Sequence, residues 1–431
     1  MIPVLKRVRQ LPRDDLRQRP LKLLVGNLGE PAAPAASMLR QFSGHPLVEV
    51  WSTDAAAPYH MGLMPSLPIP AYQFHTPRSN GQGALLGPVP EPSVVRHDIA
   101  PWMPALISEE WLARSAELDA AVTDRFWVCW RHTDPVPRLN VLEPLEALAL
   151  IGLKLRQQER LELPYGRARF CLTRDSYYWH ATRMLLPASA SWMAAGGPHR
   201  AHSLWLAQSV LVRVGRALHA RDACQVECQF RPDMPGEAGL YHFDMLLVSL
   251  VGAMDAAARV INRWLDLGLP DKDAGWQKDT WRKRLGQQAP ETAALLNPLS
   301  RGGALFKMAR VLRNLVHADV FQFVGERHGE STTLLMIVPD EAEAPLVQCL
   351  EQLEATSGWG VLVRPGHRVT IHPPVFIEAL SRQLLHLLNA VMASAARVAG
   401  PDAVPQSRRA FREEIEKMIL ALSGLTAEDS L

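Results

Sequence analysis

From about residue 108 onward, apolar positions recur every three to four residues over long stretches, which is the period of a helix that buries one face. Residues 145–155, 175–186 and 203–218 are each long enough for several turns, and Pro187 and the Gly196-Gly197-Pro198 run punctuate them. The most regular stretch is 241–267, where Leu246, Leu247, Leu250, Met254 and Ala257 repeat along one side until Gly268 and Pro270 stop the helix. A loop holding Trp276 and Trp281 follows, and then a helix is predicted over 304–321. Strand-like runs come next at 332–338, 359–363 and 369–371, the last two joined across Pro365-Gly366 as a hairpin. A helix over 374–398 carries Phe376, Leu380, Leu384, Leu387, Leu388 and Val391 on one face, and a charged amphipathic helix over 408–422 lies in the tail after Gly400.

Residues 20–100 read differently. Short β-like runs at 21–25 and 47–51 alternate with turn-forming segments rich in Pro and Gly. The pattern predicts a mainly α protein: a helical bundle with an irregular, Pro-rich N-terminal region and a small β element before the C-terminal helices. Its expected divisions are 1–107 (irregular, β-containing), 108–235 (helical), 236–400 (helical core with a small β insertion) and 401–431 (amphipathic tail). No internal repeat at solenoid periods is visible.

Composition narrows the functional classes. With 431 residues and 48% apolar content the chain can bury a sizeable core, while a formal charge of +2 gives no global signature of nucleic-acid or membrane binding. Five cysteines, an odd number without dense spacing, suit a reducing compartment. Cys224 and Cys228 sit one helical turn apart with no second Cys/His pair at zinc spacing, so they read as buried thiols. The first residues, Met1 to Arg7, run straight into charge, and Asp255 and Arg259 interrupt the best apolar stretch. A cytoplasmic protein with no membrane span is expected. No Walker motif occurs, Gly26 and Gly29 lack a third glycine at dinucleotide-binding spacing, and no Gly-x-Ser-x-Gly elbow is present. His242 near Asp244 has no identifiable nucleophile. No cofactor is expected.

The candidate chemistry lies on the helix predicted over 304–321. At about 100° per residue, Arg310, Arg313, Asn314 and His317 fall at i, i+3, i+4 and i+7 on one face, with Met308, Val311, Leu312 and Leu315 opposite. Guanidinium groups offer planar, bidentate donors to phosphate oxygens, and an imidazole exchanges protons near neutral pH. Residues 271–317 hold nine basic side chains against four acidic ones, a surplus suited to an anionic ligand. Arg and His at this spacing are also ordinary solvated residues. Tyr177, Tyr178, Trp179 and His180, between Arg174 and Arg183, either stack bases or pack helices together. Trp127-Val128-Cys129-Trp130 reads as a buried strand or helix end.

Arg313-Asn314-Leu315-Val316-His317, placed after a long helix that carries Asp255, resembles the active-site helix of HEPN domains, a helical family common in prokaryotic toxins and defence nucleases. Family members show Arg, four to six residues, then His, often with Asn after the Arg. Here Arg310 satisfies the spacing to His317, and Arg313-Asn314 satisfies the dipeptide. The resemblance covers about residues 240–400. It implies a metal-independent endoribonuclease, a toxin or antiphage defence component, in which the RNA 2′-hydroxyl attacks the adjacent phosphate. His317 would be the acid or base, Arg310 or Arg313 would stabilise the charged transition state, and Asn314 would orient the imidazole or a phosphate oxygen; Asp255 either supports an Arg from behind or makes an ordinary helix-surface salt bridge. It further implies RNA as partner, a homodimer with a composite site, and an antitoxin or operon partner. The other reading is a non-catalytic helical dimerisation or RNA-binding scaffold.

Overall fold

The computed structural model describes residues 19–25, 33–42, 45–52, 61–63, 72–74, 84–85, 119–122, 140–165, 168–195, 200–229, 237–317, 319–328, 331–354, 359–363, 366–400 and 410–425. The Trp127-Val128-Cys129-Trp130 run lies outside them. The chain is mainly helical, with small sheets, as the periodicity predicts.

The N-terminal region holds a β-α-β unit. Strand β1 (Leu21–Val25), helix α1 (Ala33–Gln41) and strand β2 (Val48–Ser52) follow one another, and the two strands pair in parallel with Leu21 opposite Val48. A separate antiparallel sheet contains β3 (Met61–Leu63), β4 (Tyr72–Phe74) and β5 (Ala84–Leu85). Two further strands, β6 (Ala120–Val122) and β7 (Asn140–Leu142), then extend the first sheet in parallel, giving the order β2-β1-β6-β7. The sheet thus draws strands from both sides of residue 107. Its order reverses between β1 and β6, the kind of switch point at whose carboxyl side open α/β sheets take up ligands. At the amino side, buried Asp119 sets the β1/β6 register by accepting from Arg19 Nη1 and Nη2 at 2.9 and 2.7 Å and from the Lys22 backbone N–H at 2.8 Å.

Helix α2 (Pro144–Arg156) starts as its sequence dictates. Proline occupies the first turn and Glu143 and Glu146 form a capping box, with the Glu143 N–H donating to Glu146 Oε2 at 2.8 Å. A hairpin of β8 (Arg160–Tyr165) and β9 (Ala168–Thr173) leads into α3 (Arg174–Leu185), then α4 (Ser189–Ala194). Two long helices, α5 (Arg200–Gln229) and α6 (Glu237–Trp264), pack along each other, with Gly239 against Glu227 and Gly252 against Arg213.

After α6 come α7 (Asp279–Gln288), α8 (Pro290–Leu295) and α9 (Arg301–Leu315). Trp281, expected in a loop, sits in α7, and both Trp276 and Trp281 are buried with their rings edge to face at 4.9 Å. Trp276 Nε1 donates to the Met254 carbonyl at 2.8 Å. Polar residues 277–280 between the tryptophans hide this packing from a periodicity count. The predicted 304–321 helix ends early, at Leu315, and β10 (Gln322–His328) follows. It pairs with β11 (Ser331–Ile337), after which come α10 (Asp340–Gln352), β12 (Val361–Leu362) and β13 (Thr370–Ile371), forming an antiparallel sheet of order β10-β11-β13-β12. The β12/β13 pair is the hairpin predicted across Pro365-Gly366, with Gly366 at φ +74°. Helices α11 (Pro373–Ala399) and α12 (Ala410–Ser423) close the order, and one apolar core runs from β1 to α12.

A charged node lies inside that core. Arg156 on α2, Arg221 and Asp222 on α5 and Glu378 on α11 are all buried. Burial opposes ionisation of Asp222, yet Arg156 and Arg221 together hold its carboxyl below the usual range. Burial pushes the Glu378 carboxyl up, against the pull of Arg221 and Arg382. Glu378 Oε2 stands 3.7 Å from Arg221 Nη1, and Glu378 Oε1 has no hydrogen-bond partner. A raised folded-state value means that the folded chain holds the proton more tightly than the unfolded chain. This contribution is complete below the ordinary glutamate range and is lost as pH rises through the raised value. Glu378→Gln, which does not titrate, is therefore expected to gain stability relative to the parent chain as pH climbs through that window. Urea midpoints measured from pH 4 to 8 read the difference directly, and parallel curves would contradict the assignment.

Candidate functional site

The stripe lies where α9 packs against α6. Ser300 caps α9, its Oγ accepting from the Gly303 N–H at 3.0 Å, and Ala304, Leu305, Met308, Leu312 and Leu315 turn into the core. This anchors the opposite face toward solvent. Arg310, Arg313 and Asn314 lie on α9 as the spacing predicts. His317 does not lie on the helix: the last helical residue is Leu315, and His317 sits in the following turn, its N–H donating to the Asn314 carbonyl at 3.3 Å. Asn314 and His317 are exposed, and the two arginines are half-buried.

Two acids on α6 face this stripe. Arg313 Nη2 stands 3.9 Å from Asp255 Oδ2, with the two side chains 28% and 30% exposed. Burial pushes the Asp255 carboxyl up, while Arg313, then Arg310, then Arg259 oppose the shift. One turn beyond the helix end, the field of His317 opposes the burial that raises Asp244. Asp244 and Asp255 are three turns apart on α6, roughly 16 Å of axis at 1.5 Å per residue. The seam therefore has two ends, with Arg310, Arg313 and Arg259 around Asp255 and His317 near Asp244. Arg310 is seven residues from His317, roughly 10 Å of helix, while Arg313 is four residues away.

The guanidinium groups are not fully used. Arg310 Nε is buried without a hydrogen-bond partner, its Cζ lying 5.9 Å from the Phe306 ring centre, and Asp255 Oδ1 is likewise unpartnered. Buried N–H groups of a charged fork left unpaired are costly, and an anionic oxygen satisfies them. Asp244 and Arg259 were missed in the sequence as members of the site. The signal was available, since 244, 248, 255 and 259 share one face of α6.

The surrounding basic surplus is partly neutralised by local pairs, Arg282 with Asp279 and Arg263 with Asp271, while Arg284 Nη1 donates to the Leu267 carbonyl at 2.6 Å. Within the aromatic cluster Tyr177 and Tyr178 are structural, both buried, with Tyr178 OH donating to Asp222 Oδ2 at 2.9 Å, while Trp179 and His180 are half-buried. Cys224 is buried and Cys228 nearly so, and no group of His, Cys, Asp and Glu suited to a metal occurs among the described residues. Among the same residues no helix is long and apolar enough to cross a membrane. Comparison of the chain with family models, curated proteins and solved structures gives no match.

Proposed function

We propose that the chain is a HEPN-like endoribonuclease that cleaves RNA without a metal ion, acting as a cytoplasmic toxin or defence component, with the α6/α9 seam as its phosphate site. The observation that carries this reading is the half-buried arginine pair on α9, one of whose guanidinium nitrogens has no partner, with His317 in the turn that follows the helix. In this reading Arg313, assisted by Arg310, binds the scissile phosphate and stabilises charge as it develops. His317 accepts the 2′-hydroxyl proton or donates to the departing 5′-oxygen, and Asn314 orients one of them. Asp255 holds Arg313 in place from behind, in competition with the phosphate. The exposed apolar residues Tyr241 (60%), Met245 (36%) and Val248 (38%), at i, i+4 and i+7 on α6, support a second copy of the chain docking beside the seam. An antitoxin or operon partner would occlude the same face.

The position of His317 beyond the helix favours a second reading, in which the seam docks RNA or a second subunit without cleaving. One experiment separates the two. Wild type and His317→Ala are incubated with mixed RNA in EDTA, and products are tested for 2′,3′-cyclic phosphate ends. Cleavage is expected from wild type, with a loss of about 10²-fold or more in the variant. Folded wild type that binds RNA but leaves it intact would support the docking role instead.

A further inference from the structure

The carboxyl end of α12 is seated in a socket made by three other helices. The last carbonyls of a helix have no partner within it. Here Tyr177 OH donates to the Ile419 carbonyl at 3.2 Å, Arg156 Nη1 to Leu422 at 2.5 Å and Arg221 Nη2 to Ser423 at 2.6 Å. Two buried guanidinium groups therefore face the negative end of the helix dipole. Asp222 neutralises part of their charge from the other side, bonded to Arg156 and also to Arg221 Nε at 3.0 Å. Gly424 turns the chain at φ +73°, and Leu425 is buried beyond it. The seat also needs Gly152 on α2, where a methyl group would overlap the Leu422 carbonyl and crowd Arg156 Nη1.

The socket draws side chains of α2, α3 and α5 together within the one apolar core. Helix α12 packs on α2 and α3; α2 in turn packs on α1, β7 and β8, on the side of the parallel sheet, and also touches α5, while α3 packs chiefly on α5. Arg221 and Asp222 belong to α5, whose long contact is with α6, the helix that carries Asp244 and Asp255. A buried ionic seat contributes less net stability than an apolar one of the same volume, but it accepts one geometry only.

We propose that α12 is a clasp, which by docking its carboxyl end into the Gly152/Arg156/Tyr177/Arg221 socket couples the parallel-sheet unit to the helical core. Undocking it loosens the sheet unit while the α5/α6 pair stays folded. This device is independent of the RNA reading.

The test is hydrogen exchange followed by mass spectrometry on the full chain. Gly152→Ala is expected to accelerate exchange at least tenfold in 415–425 and also in 21–25, 120–122 and 140–156, leaving 243–264 and 301–315 within about twofold of the parent. Acceleration confined to 415–425 would make α12 a passive tail, and uniform acceleration would make the chain one cooperative unit. Either result overturns the proposal, as does unchanged exchange throughout. Arg156→Lys keeps the charge but loses the fork, and is expected to give the same pattern at smaller amplitude. If Gly152→Ala yields no folded chain, the distribution in Arg156→Lys decides by the same criteria.

Discussion

Asp222→Ala is expected to lower the unfolding free energy by roughly 3–5 kcal/mol, because it leaves buried cations without their anion. Asp222 accepts from Arg156, from Arg221 Nε and Nη2, and from Tyr178 OH. All four side chains are buried, so water does not replace the lost partner. The nearest other acid is Glu378, whose Oε2 is 3.7 Å from Arg221 Nη1 and whose burial favours its protonated form. It compensates poorly. Asp222→Asn keeps the shape and some acceptor capacity but removes the charge, and should fall between parent and alanine variant. Urea denaturation at pH 7 measures the series, and a loss for Asp222→Ala below about 1 kcal/mol would show that the node is not the anchor its hydrogen bonds suggest.

Gly303→Ala should also be severely destabilising, by about 2–4 kcal/mol, against the general preference of helices for alanine. A Cβ at residue 303 would collide with the Asn297 carbonyl oxygen and stand only 2.8 Å from Asn297 C and 3.0 Å from Pro298 Cα. These are backbone atoms, and they are held. Ser300 Oγ donates to the Asn297 carbonyl at 2.7 Å while capping the helix through the Gly303 N–H. Relief of the clash therefore costs the cap as well. Gly286 is the control: a Cβ there meets nothing nearer than Ala293 Cβ at 3.9 Å, so Gly286→Ala on α7 should stabilise by about 0.5–1 kcal/mol. Thermal and urea unfolding of the two variants should move in opposite directions. Movement in the same direction would mean that the 295–300 loop yields easily, and that the start of α9 is not rigidly placed. Because α9 positions Arg310 and Arg313, the proposed RNA cleavage would fall in Gly303→Ala even below its unfolding temperature.

Much of the helical core was legible from local pattern. The α6 and α11 stretches repeat apolar residues over six or more turns, and such a signal survives any arrangement of neighbours. The Pro365-Gly366 hairpin was similarly local. The parallel sheet was not. Ala120–Val122 and Asn140–Leu142 are three-residue strands, and Ala120 is paired with a residue 97 positions earlier, Leu23. Nothing within a window of ten residues distinguishes such a strand from a loop, since its stability comes from burial against partners that the chain reaches only after folding.

The candidate site divides in the same way. Amino-acid order alone determined that Arg310, Arg313 and Asn314 share a helix face, because that follows from 100° per residue and an apolar opposite side. Tertiary structure decided the rest. It ended α9 at Leu315, before His317, because residues 322–328 pair with β11 and pull the chain out of the helix. It brought Asp255 to Arg313 across 58 positions of sequence and set His317 toward Asp244. It also turned Tyr177 and Tyr178, readable as base-stacking groups, into buried partners of Arg156 and Asp222. The physical reason is range: helix phase is fixed by neighbours within a turn, whereas which polar groups meet is settled by long-range packing that excludes water around them.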